Sequence, residues 1–183
     1  EKNYSFLHTS DNLEHTRYLS NFILNDNLYL LKKISKHNKF INRTNNLLIE
    51  FQKYISKYNL SKYDCCFESG IILQIFWIRK AADLDFICLE KLREKLNNFP
   101  KDIDLHQKNR FLNISHLSDD DIIKNKEYYF FYKGFKFIIP ELLIKNTSHL
   151  SKKKNLDMKE LRGFISNNNE YKLNVFYRFK VFF

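Results

Sequence analysis

Asp83 and Asp85 are the residues whose type and spacing speak most directly of chemistry. They stand in Ala82-Asp83-Leu84-Asp85-Phe86-Ile87-Cys88, where acidic and apolar residues alternate before an apolar end. On a helix, residues two apart diverge by about 200° and do not share a ligand. On a strand they point to one face, while Leu84 and Phe86 turn to the other and toward a core. Two carboxylates held close together among apolar neighbours are costly unless a cation or a proton is shared between them. Mg²⁺ or Mn²⁺ suits the pair, because Mg²⁺ takes one or two carboxylates plus substrate phosphates. The competing reading is a solvated acid pair at a strand edge.

Other residues near this pair bear on the same chemistry. Arg79 and Lys80 come just before the alternating run, within reach of a phosphate at the site; exposed loop cations have the same appearance. Ser69-Gly70 follows a strand candidate, residues 64–68, and opens an apolar stretch, residues 71–78, that suits a short buried helix. Trp77, the single tryptophan, falls in that stretch and is expected in the core rather than as a stacking platform. His106 and His116 are of the residue type that serves proton transfer near neutral pH. A lone histidine is more often structural, so neither joins the candidate site.

The elements that must position these residues can be read from the hydrophobic pattern. Asp11 with Glu14 forms a capping-box-like start to a first helix, interrupted by the polar run Asn25-Asp26-Asn27. A second amphipathic helix is expected over residues 44–58, with Leu47, Leu48, Phe51, Ile55 and Tyr58 on one side. Further strands are expected at Ile103-Asp104-Leu105 and over residues 111–114. Ser118 with Asp121 can cap a short helix. Two apolar runs, residues 127–132 and 135–139, flank Lys133-Gly134 and predict a tight hairpin. Pro140 suits the first turn of a helix to about His149, and residues 157–165 make a last helix before the run of Asn at 167–169. Helices first, then strands mixed with helices, predict an α+β fold.

Composition sets wider limits. The 183 residues suit about one domain, and 44% hydrophobic residues are enough for a core. Only 3 Gly and 2 Pro are present, and neither G-x-G-x-x-G nor G-x-x-x-x-G-K-[ST] occurs. No apolar run is long enough for a membrane span, so the chain is read as soluble without a transmembrane segment. Lys and Arg total 31 against 21 Asp and Glu, a net +10 that suits a polyanionic partner. Abundant Lys, Asn, Ile, Phe and Tyr, all with AT-rich codons, explain the same profile through genomic bias, and nucleic-acid binding is expected to be weak or none. Cys65, Cys66 and Cys88 are odd in number and lack a C-x-x-C, which argues for reduced thiols and a cytoplasmic setting. The chain begins without Met and stops on Phe182-Phe183, and is read as part of a longer protein that supplies further domains.

The small turn Ser69-Gly70 after a strand, followed by D-h-D on the next strand, resembles the nucleotidyltransferase fold superfamily, whose motif is h-G-[GS] and then D-h-[DE]-h. Ser69 stands in place of the first Gly. The run from Phe135 to Lys145 is similar to a strand and x-P-E-x-L-x-x-x-K helix of one branch, and Asp157-Met158-Lys159-Glu160-Leu161 to its K-D-x-x-D-[LI] helix. Leu156 and Glu160 depart from that last pattern. The branch includes toxins of type IV toxin–antitoxin systems and domains that accompany bacterial surface-polysaccharide assembly proteins, and Asp11 to Thr16 looks more like the latter group.

The resemblance implies a nucleotidyltransferase-like mixed sheet with helices packed on it, over residues 61–166. An N-terminal helical segment over 1–60 precedes it and a tail over 167–183 follows. It implies a metal-dependent nucleotidyl or phosphoryl transferase that acts on a sugar phosphate or surface-polysaccharide precursor. Asp83 and Asp85 then hold Mg²⁺ or Mn²⁺, Asp104 (or Asp102) completes the acids, and Ser69, Gly70, Arg79, Lys80 and Lys145 meet a nucleoside triphosphate substrate. Two alternatives remain open: a toxin-like enzyme modifying RNA, and a non-catalytic interaction domain of the same fold.

Overall fold

A computed structural model describes residues 39–147 and 152–167. The helix expected to start at Asp11, its interruption at Asn25-Asp26-Asn27, and the tail beyond residue 167 lie outside the described residues.

The fold is α+β, built on an open, mixed, five-stranded sheet. In chain order the elements are α1 (Ile41–Ser56), β1 (Cys65–Glu68), α2 (Gly70–Ile75), β2 (Leu84–Cys88), α3 (Glu90–Arg93) and β3 (Ile103–Leu105). They continue with α4 (Leu112–Ser115), α5 (Asp119–Lys124), β4 (Tyr129–Tyr132), β5 (Phe135–Ile138), α6 (Pro140–Thr147) and α7 (Lys152–Asn167). The strands lie side by side in the order β3-β2-β1-β5-β4. β2 runs antiparallel to β1 and parallel to β3, and β5 runs parallel to β1 and antiparallel to β4.

Strand alternation divides the sheet into two faces with different tasks. Phe67 pairs with Phe86 across β1 and β2, and with Phe137 across β1 and β5, so these rings share one face. α1 lies on that face because its apolar stripe, with Leu47, Leu48, Phe51 and Ile55, is buried there. The Phe51 ring meets those of Phe67 and Phe86 edge-on at 4.7 and 4.9 Å. Burying a side chain of this size stabilises by roughly 1.5–3 kcal/mol. Gln74 of α2 joins the two layers, donating to Thr44 Oγ1 on α1 and accepting from the Ala81 backbone N–H just before β2. The opposite face carries Glu68, Asp85 and Asp104, and its cover includes α5.

The capping box at Ser118 forms as expected, with Ser118 Oγ accepting from Asp121 N–H and Asp121 Oδ2 from Ser118 N–H. The hairpin turns at Lys133-Gly134, both at positive φ. The three cysteines are free and buried.

Two expectations are corrected. Residues 111–114 form no strand: the chain takes one helical turn there, bracketed by left-handed Asn109 and His116, and the buried Phe111 ring anchors it. Trp77 is not a core residue. The Ile78 N–H closes back on the Leu73 carbonyl and ends α2 in a Schellman-type cap, with Trp77 at the left-handed position and 37% exposed. Among the described residues, no helix is long and apolar enough to cross a membrane.

Candidate metal and phosphate site

The site is assembled by strand register. Glu68 on β1 pairs with Asp85 on β2, and Asp85 pairs with Asp104 on β3. Three adjacent strands therefore place a row of carboxylates on one face of the sheet. Asp83, two residues before Asp85 and just ahead of β2, points the same way. Ligand oxygens of Asp83, Asp85 and Asp104 all lie within 4.8 Å of one another. Asp85 is only 9% exposed, Asp83 is half-buried and Asp104 is exposed. The Asp102 carbonyl accepts from Leu84 N–H, whereas its carboxylate lies 3.9 Å from Arg43, away from the cluster.

The electrostatics of these acids are unbalanced. Burial raises the Asp83 carboxyl above its ordinary value, and the negative charges of Asp85 and Asp104 raise it further. A group of this kind gains from a cation or a proton placed among the three. All-oxygen donors in a half-open setting suit a hard divalent ion such as Mg²⁺ or Mn²⁺, so the residues fit the metal expected from the sequence.

The acids open onto a cleft of about 170 Å³ whose lining includes Ser69, Gly70, Arg79, Asp83, Asp85, His106, Arg110, Lys154 and Asp157, with Leu73, Leu143 and Met158. The turn into α2 forms the cleft's edge near β1. Here Ser69, rather than Gly70, carries the left-handed backbone, at φ 59° and ψ −130°. A Cβ added at Gly70 would make ordinary contacts of 3.6–3.7 Å, with Ala81 among others. Arg79 reaches across from the loop before β2, and its Nε donates to Asp157 Oδ2 on α7 at 2.7 Å.

Of the residues singled out in the sequence, the cleft gathers Ser69, Gly70, Arg79, Asp83 and Asp85, with Asp104 beside them through the acid cluster. Lys80 lines a separate groove with Lys39, Arg43 and Asp102, and Lys145 is exposed on α6 outside the cleft lining.

Sequence reasoning missed Glu68, Arg110 and Asp157 as site residues and set His106 aside. Glu68 is wholly buried. His106 stands between the two paired acids, with Nε2 3.1 Å from Asp85 Oδ1 and Nδ1 against Glu68 Oε1. Burial works against charge on the ring, but the hydrogen bonds to Asp85 and Glu68 outweigh it and hold its pKa at about 9. At neutral pH the ring is then charged, with Asp85 Oδ1 and Glu68 Oε1 as its acidic neighbours. Arg110 Nη1 donates to Ser69 Oγ at 3.2 Å and Glu68 Oε2 at 3.4 Å. It also approaches His106 Nδ1 at 2.7 Å, a like-charge contact that the shared Glu68 carboxylate offsets. The signals available in the sequence were the i, i+2 spacing of Asp104 and His106 at the end of β3 and the place of Asp157 in the run resembling a family helix.

No protein-family model matches this chain, nor does any curated protein or solved structure match it.

Proposed function

We propose that this chain is a metal-dependent transferase with a nucleotidyltransferase-like fold, moving a nucleotidyl or phosphoryl group from a nucleoside triphosphate. The observation that carries this reading is the convergence of Asp83, Asp85 and Asp104 within 4.8 Å beside a cleft that also holds Arg79, Arg110 and Lys154. Acids for a metal next to cations for phosphate oxygens form the pair of surfaces that a metal–polyphosphate ligand needs. The order of parts supports it too: strand β1, the Ser69-Gly70 turn, helix α2, then Asp83 just before β2 and Asp85 within it, as the resemblance implies.

Mg²⁺ or Mn²⁺, when bound, would neutralise phosphate charge and polarise the phosphorus under attack. The chain's own groups do the rest. Asp83, Asp85 and Asp104 supply hard oxygen ligands. Arg110 presents a guanidinium already fixed by Ser69 and Glu68, so little of its freedom is lost on meeting a phosphate. Leu73, Leu143 and Met158 keep part of the lining apolar, which strengthens the polar contacts within it. For the acceptor we propose a sugar phosphate or surface-polysaccharide precursor. That half of the reading rests on the resemblance around Asp11 to Thr16, whereas the described cleft speaks for the donor.

The test is thermal denaturation with Mg²⁺ and each common nucleoside triphosphate. A ligand present at 100 times its Kd stabilises the folded form by about 2.7 kcal/mol, a shift of several degrees. Asp83→Asn with Asp85→Asn removes the shift and leaves the far-ultraviolet circular dichroism unchanged. No shift with any triphosphate would favour the non-catalytic interaction domain instead.

A further inference from the structure

We propose that His106, braced by Glu68, is a positioning residue for the metal site: its ring stands against Asp85 and limits how that carboxylate turns toward the cluster. This inference rests on the metal reading above and adds to it a role for His106.

The argument is geometric. Glu68 and Asp85 are direct cross-strand partners on one face, an arrangement that would drive two carboxylates apart. His106 fills the space between them with one ring nitrogen on each acid. Arg110 Nη1 closes the ring in from a third side, 2.7 Å from Nδ1. The His106 backbone is pinned as well: its N–H donates to the Phe86 carbonyl at 2.9 Å, and its carbonyl accepts from Arg93 Nη2. A ring fixed at its backbone and at a wholly buried Glu68 cannot follow Asp85; Asp85 must follow it. A free carboxylate rotates and switches between one and two oxygens toward a metal. Asp85, with the ring 3.1 Å from its Oδ1, has fewer orientations open to it. Partners that orient a metal's ligands change affinity by about 10–100-fold when removed.

The experiment measures Mn²⁺ binding to the whole chain by electron paramagnetic resonance at neutral pH, after chelator treatment. The wild type is expected to bind Mn²⁺ and Asp85→Asn to lose it. His106→Gln, which cannot hold both acids, is expected to bind about 10–100-fold more weakly. Glu68→Gln keeps the ring and the side-chain size, and is expected to weaken binding in the same direction by less; it carries the test if His106→Gln does not fold. The direction decides the matter. A ring that merely contributes positive charge would, on removal, strengthen Mn²⁺ binding. Equal or tighter binding by a folded His106→Gln, or by Glu68→Gln, overturns the positioning role and leaves the metal reading standing. A wild type that binds no Mn²⁺, or binding that survives Asp85→Asn, overturns the metal reading and this inference together.

Discussion

Glu68 and Asp85 face each other across the antiparallel pair β1–β2, and the His106 ring stands between them. This relationship divides four carboxylates into two groups. Glu68 is buried behind the ring with Arg110 on it, while Asp83, Asp85 and Asp104 cluster on its other side, where the ring meets Asp85 alone.

The metal-free protein should therefore depend on pH through His106. The unfolded ring titrates near 6.5 and the folded one at about 9, facing Asp85, Glu68 and Asp83 with Arg110 alongside. Because the folded value is the raised one, the stabilisation is complete below the unfolded pKa and is lost as pH rises through about 9. The thermal midpoint in chelator should fall across that interval, and the fall should be shallower in His106→Gln. Equal slopes for the two proteins would contradict the charged ring.

Ser69 holds a backbone conformation that suits glycine, and such positions cost about 1–3 kcal/mol in other residues. Ser69→Gly should raise stability by about 1 kcal/mol, net of the lost Oγ contact with Arg110, or a few degrees in Tm. A lower midpoint would show that the hydroxyl contact outweighs the backbone strain.

Much of the fold follows from local pattern. The alternation around Asp83 and Asp85, the Ser118–Asp121 cap and the Lys133-Gly134 turn are each contained within a few residues. The α+β class could be read from their order. Short apolar runs were less secure, because periodicity alone does not separate strand from helix over four residues, and residues 111–114 turned out helical. Trp77 misled for a related reason: α2 ends one turn earlier than the apolar run, at a cap defined by backbone bonds. The site was only partly legible. Glu68, Asp85 and His106 come from three strand ends, and nothing in their spacing along the chain reveals that register brings them together. Arg110 reaches the cleft from a loop, and Asp157, though part of the run resembling the family's last helix, reaches it from far along the chain, so only tertiary packing places them there.

The Arg79–Asp157 ion pair ties α7 to the loop before β2, and Asp157 is largely shielded from water. Such a charge-assisted hydrogen bond contributes on the order of 1–2 kcal/mol. Arg79→Ala should leave the sheet intact yet speed amide hydrogen exchange in α7 by about tenfold, consistent with a loss of about 1.4 kcal/mol in local stability. Unchanged exchange in α7 would mean that its apolar contacts, led by Met158 and Leu161, hold it without the pair.

The central claim is that Asp83, Asp85 and Asp104 hold a divalent metal against a nucleotide's phosphates. Its most direct test is a crystal of the chain grown with Mn²⁺ and a non-hydrolysable nucleoside triphosphate, measured for anomalous scattering. The account predicts a manganese peak among the three carboxylates, with ligand oxygens at about 2.1 Å and the polyphosphate extending toward Arg110. An ordered nucleotide elsewhere, or no peak among these three acids, would contradict it.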